Sequence, residues 1–169
     1  MNKHKGFTIV ELIVVIVVIA ILAAITIVAY TTLQAKANDS RRIQDVTNLQ
    51  KSIEIYLHQN GQLPPRSSSA GSWATSRDQP SDYIQGISGE GTSLSTLLVD
   101  PINTGNYYYR YYVYSAGSSG CESIKGPFYV LQVYTMESGD HPNADSPGWS
   151  CPNRDWSTEA DYVVGGFTH

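Results

Sequence analysis

The run from Phe7 to Tyr30 constrains this chain more than any other part of it. Only Thr8, Glu11 and Thr26 interrupt its Ile, Val, Leu and Ala content before the tyrosine. Wound as a helix, such a run rises roughly 36 Å, enough to cross a hydrocarbon core of about 30 Å. Glu11 is the anomaly. An acidic side chain in hydrocarbon is costly, so a helix that carries one needs a partner charge supplied from elsewhere.

Two readings of the run compete. Leu12–Ile25 has the length of the apolar region of a cleavable secretory signal, and Ala23-Ala24 offers small residues. Against that, apolar character resumes at Ile25, Ile27 and Val28, and a signal peptide gains nothing from Glu11. No Gly or Pro occurs between Phe7 and Gln59, so a helix can run on past Tyr30. The run therefore reads as a retained anchor, residues 7–30, behind a short hydrophilic leader, residues 1–6. Lys3 and Lys5 on one side face Lys36, Arg41 and Arg42 on the other, so basic residues do not orient it. The short leader and the cysteine pair put the C-terminal part outside the cytoplasm.

The segment Lys5-Gly6-Phe7-Thr8-Ile9-Val10-Glu11-Leu12-Ile13 resembles the processing site of type IV pilins and of the pseudopilins of type II secretion. With its helix, this resemblance covers about the first third of the chain. It implies that a prepilin peptidase cuts between Gly6 and Phe7 and that the new Phe7 amine is methylated. It also implies that Glu11 attracts the Phe7 amine of a neighbouring subunit during filament assembly. One departure stands out: many type IV pilins carry a helix breaker where this chain reads Thr26-Ile27-Val28-Ala29.

Residues 31–60 read as an amphipathic continuation. Leu33, Ala37, Ile43, Val46, Leu49, Ile53, Tyr56 and Leu57 share a helical face, with Asp39, Arg41, Arg42, Gln44, Asp45, Gln50, Lys51 and Glu54 expected to face solvent. Arg41 and Asp45 are spaced for an i,i+4 pair. Asn60-Gly61 and Pro64-Pro65 stop the helix. Tyr56–Pro64 also resembles the end of the long helix in major pseudopilins.

Residues 61–169 read as one globular head. Residues 66–93 are Ser- and Gly-rich, a long surface connection anchored by Trp73 and Tyr83. A short helix is expected over Leu94–Val99. Tyr107–Tyr114 and Phe128–Met136 read as strands paired antiparallel, with Tyr162-Val163-Val164 as a candidate third. A sheet with one apolar face needs a cover, and the Ile43–Leu57 face supplies it. The expected fold is α+β: a long N-terminal helix, half membrane-spanning or filament-core and half amphipathic, packed on a small antiparallel sheet. The resemblance implies the same fold, the pilin "lollipop".

The chemistry on offer is sparse. In 169 residues the net charge is −4, with acids concentrated after residue 120, which argues against general nucleic-acid binding. Cys121 and Cys151 are the only cysteines; in an exported chain they suggest one disulfide, with two free thiols as the alternative. The tyrosine run around Arg110 invites base or sugar stacking, but core packing and cross-strand pairing explain it more simply. Asp140, Asn143 and Asp145, with Asp155 nearby, are candidate calcium ligands in a Gly/Pro-rich loop. Some major pseudopilins bind calcium in such a loop, although a solvated acidic loop accounts for the same residues. His141 beside Asp140 has no nucleophile at a recognisable spacing, and no catalytic motif is present. The expectation is a non-enzymatic filament subunit whose partners are itself, a prepilin peptidase, an assembly platform and the membrane before assembly. A type II secretion pseudopilin is the near alternative and a membrane-anchored extracellular binding module the distant one.

Overall fold

The computed structural model describes residues 8–68, 71–139 and 141–169. Its contacts divide the chain into two units, Met1–Ala37 and Asn38–His169. Helix α1, Ile9–Asn60, starts in the first and ends in the second. It ends as its sequence demands. Gly61 adopts φ 70° and its amide donates to Leu57 O at 2.8 Å, closing the last turn in the left-handed conformation that glycine tolerates best.

In the second unit the sheet has four antiparallel strands in the order β1-β2-β3-β6. They are β1 (Ala74–Thr75), β2 (Tyr109–Tyr114), β3 (Phe128–Val133) and β6 (Tyr162–Phe167). Strands β4 (Ser150–Cys151) and β5 (Arg154–Asp155) form a separate two-stranded ribbon. The register sets Tyr111 opposite Leu131, and Leu131 opposite Val164. Side chains alternate across such a ladder, so Tyr109, Tyr111, Tyr129, Leu131, Val133 and Val164 share one face. These join Val46, Leu49 and Ile53 of α1 in the main core. The α+β architecture, a long helix packed on an antiparallel sheet, is as expected.

The opposite face is also covered, which the sequence reading does not foresee. Every residue of β3 is buried, as befits a central strand closed on both sides. Phe128, Val130 and Val163 pack there with Trp156, Ala160 and the cysteines. The Cys121–Cys151 disulfide, with Cα atoms 5.1 Å apart, ties the β2–β3 connection to β4. Trp156 is wholly buried, and its Nε1 donates to the Tyr114 hydroxyl at 3.0 Å. Trp149 lies so close to β6 that a Cβ on Gly165 would come within 2.4 Å of its ring, so only glycine fits there.

Two expectations for the connection fail. Residues 66–93 are not merely surface: Tyr83, Ile84 and Ile87 are buried in the main core, and Tyr83 donates its hydroxyl to Leu98 O at 2.7 Å. Nor is Leu94–Val99 helical. Leu94 forms an isolated bridge with Ser88, and Leu97 reaches the core from an irregular backbone. Its apolar content reflects burial, not periodicity.

Candidate functional site

The first unit holds the residues that the processing motif singles out. Gly6 and Phe7 lie outside the described residues. From Thr8 the geometry is specific. The Glu11 carboxylate accepts the Thr8 amide at 2.8 Å and the Thr8 hydroxyl at 2.7 Å, while the Glu11 amide points back to Thr8 Oγ1 at 3.3 Å. This is a reciprocal capping box, with Thr8 as N-cap and Glu11 three residues on. It satisfies helix-end donors that hydrocarbon would leave bare, and it places a carboxylate where the helix dipole favours negative charge. The Thr-x-x-Glu spacing signals this box, but reading Glu11 by its charge alone conceals it.

Further along, Thr26 directs its hydroxyl to Leu22 O at 2.5 Å, with Ala23 O at 3.3 Å. The three polar interruptions of the run are thus bonded within the helix itself. Its apolar side chains are the reverse. Every large one described from Ile9 to Leu33 is at least 49 % exposed. The helix is long and apolar enough to cross a membrane, judged by length and composition. A continuous exposed surface of this kind needs either lipid or other apolar helices around it.

The second unit corrects the assignment of α1's polar residues. Asp39, Arg42 and Asp45 are buried, not solvent-facing. Arg42 is fully enclosed. It grips Asp100 with two bonds, of 2.7 and 3.0 Å, reaches Asp39 at 2.6 Å and Glu137 at 2.8 Å, and lies under the Tyr107 ring. Burial works against its charge, but the bonds from Asp100, Asp39 and Glu137 outweigh burial and hold it more firmly protonated than usual. Asp45 accepts the Tyr109 hydroxyl at 3.0 Å, and burial pushes its pKa up despite that bond. The Arg41–Asp45 pair exists at 3.7 Å with Arg41 exposed, where such pairs contribute little.

The remaining candidates resolve as follows. Asp140 lies outside the described residues. Asn143 Oδ1 accepts the Asp145 amide at 2.9 Å, and Asp155 caps a short 3₁₀ turn through the Ser157 amide. Among the described residues no group of three or more His, Cys, Asp or Glu is placed to hold a metal ion. His141 pairs through Nδ1 with Asp161. On the second face of the sheet the aromatic rings are already occupied. Arg66, Tyr112, Trp73, Arg110, Tyr134, Tyr108 and Arg77 form one continuous chain of ring and guanidinium contacts, each within 5.5 Å of the next, with Tyr108 and Tyr134 stacked.

Residues 1–27 match the family model of the prokaryotic N-terminal methylation motif. With the helix-on-sheet architecture, that match supports placing the chain with the type IV pilins and pseudopilins, a structural family. No curated protein and no solved structure matches the chain.

Proposed function

We propose that this chain is a structural subunit of a type IV pilus filament. The observation that carries this reading is the exposed apolar helix opening on the Thr8–Glu11 box, within the segment that matches the methylation motif. The precursor waits in the cytoplasmic membrane with its C-terminal part outside. A prepilin peptidase cuts between Gly6 and Phe7, and the Phe7 amine is methylated. An assembly platform then feeds the subunit into a helical polymer of its own kind.

In that polymer, neighbouring helices replace lipid around residues 9–33, and dispersion and close packing hold them. Glu11, bonded on one side to Thr8, offers its carboxylate to the Phe7 amine of the next subunit. Such a pair sets the axial offset between helices, with register rather than raw stability as its main contribution. The Asn38–His169 unit clothes the fibre, serving adhesion, motility or surface contact.

The test is the N-terminal sequence and mass of the protein in sheared cell-surface material. The expected result is a chain that begins at a methylated Phe7. A mature chain starting elsewhere would overturn the reading. Electron microscopy of the same cells distinguishes long surface fibres from the short pseudopili of a secretion machine.

A further inference from the structure

Three consecutive amides just beyond β3 are tied to carboxylates instead of to backbone. Met136 N donates to Asp161 Oδ2 at 2.6 Å, Glu137 N to Asp39 Oδ1 at 2.9 Å, and Ser138 N to Asp39 Oδ2 at 2.6 Å. Asp39 carries two more donors. Arg42 Nη1 reaches Oδ1 at 2.6 Å, and the Ser138 hydroxyl reaches Oδ2. A carboxylate has about four acceptor positions, so this one is full. A proton on Oδ1 must displace Arg42 or Glu137 N, and one on Oδ2 must displace the Ser138 amide or turn the Ser138 hydroxyl from donor to acceptor. Immediately upstream, β3 is held by the carbonyls of β2 and β6, which do not titrate.

We propose that Glu137–Ser138 is an acid-releasable strap, its amides held to α1 by Asp39 and freed ahead of the sheet when that carboxylate takes a proton. Met136, tied to Asp161 and buried in the main core, stays in place, so the helix–sheet core remains closed. This holds whether or not the chain polymerises.

The charged and titratable groups around Asp39 come from five places. Helix α1 contributes Arg41, Arg42 and Asp45. The segment before β2 contributes Asp100 and Tyr107, and β2 contributes Tyr109. The strap brings Glu137, and Asp161 stands beside it. Burial pushes the Asp39 carboxyl up, but the bonds from Ser138, Glu137 and Arg42 outweigh burial and hold it below its usual value. The sign follows. A depressed carboxylate stabilises the folded form fully above its unfolded pKa of about 3.9, and that contribution is lost as pH falls through the folded value. Asp45 has the opposite sign, since burial raises it and acid therefore favours its folded form. It touches Tyr109, not the strap, so its protonation leaves the strap tied.

The experiment is amide hydrogen exchange on the full chain in detergent micelles, from about pH 7 to about pH 3, corrected for intrinsic rates. Protection at Glu137 and Ser138 should fall by up to about tenfold per pH unit between the unfolded carboxyl value of about 3.9 and the folded Asp39 value, and level off below it, while β3 amides stay protected. Loss of protection in step with β3, or no loss at all, overturns the proposal. Ser138→Ala removes one donor and frees an acceptor position for the proton. The folded Asp39 value in that variant moves toward the unfolded one, so the acid-dependent fall in protection should be smaller than in the parent, and a fall of parental size also overturns the proposal.

Discussion

The two parts of α1 solve opposite problems with one backbone. Between Thr8 and Ala37 every polar interruption of the apolar run bonds within the helix, and the large apolar side chains are left open. From Asn38 to Asn60 the apolar stripe of Val46, Leu49 and Ile53 is closed, and the polar groups reach across to other segments: Arg42 to Asp100, Asp45 to Tyr109, Asp39 to Glu137 and Ser138. The first part is finished in its hydrogen bonds but not hydrophobically, as suits a surface awaiting lipid or other copies. The second is finished on both counts. Identical secondary structure therefore says little about role. What separates the two is where each kind of group finds its partner.

The sharpest way to break this contrast is Glu11→Gln. If Glu11 answers a neighbour's terminus, polymer should fall to background while the second unit melts as in the parent. Sheared-filament yield and a thermal melt of the full chain, run together, read both effects. Fibres at parental yield would leave Glu11 with no role beyond its own cap. The next largest effect belongs to Arg42→Met. It strands Asp39, Asp100 and Glu137 without their shared cation, and uncompensated buried charge costs about 3–5 kcal/mol. Urea unfolding followed by tryptophan fluorescence should show that loss, and a cost under about 1 kcal/mol would mean that the three acids find other partners.

A matched pair sharpens the comparison further. Leu49→Ala, at a fully buried site, should destabilise the second unit by about 2–5 kcal/mol in the same urea assay. Leu22→Ala, at a site 60 % exposed, should leave that unfolding curve in place and lower filament yield instead. Equal effects on stability would erase the distinction between the two parts of the helix.

Sequence alone displays the strands well, because Tyr109–Tyr114 and Phe128–Val133 are rich in aromatic and β-branched residues, although Phe128–Val133 is buried throughout and not on alternate residues. It hides β1, where two residues, Ala74 and Thr75, are too few to carry a pattern. The buried charges were hidden for a different reason. Asp39, Arg42, Val46, Leu49 and Ile53 are spaced three, four, three and four apart, one continuous helical stripe. Position places Asp39 and Arg42 in the core, whereas polarity suggests solvent, and position wins because Asp100, Glu137 and Ser138 arrive from distant segments to satisfy them. No local signal announces those partners. The Thr8–Glu11 box is the converse case, a local spacing in plain view.

The smallest expected effect is the most exacting for the first part of the helix. Thr26→Val keeps the side chain's shape and removes the hydroxyl that bonds to Leu22 O. If that hydroxyl is satisfied wholly within its own helix, its loss frees a carbonyl that retains its backbone partner and exchanges a polar atom for a methyl group that hydrocarbon accepts. Stability should change by no more than about 0.5 kcal/mol, and filament yield should match the parent or slightly exceed it. A clear drop in filament yield with an unchanged melt would show that Thr26 also reaches a neighbouring copy. The open surface of residues 9–33 would then carry a second polar contact between subunits, and Glu11 would not set register alone.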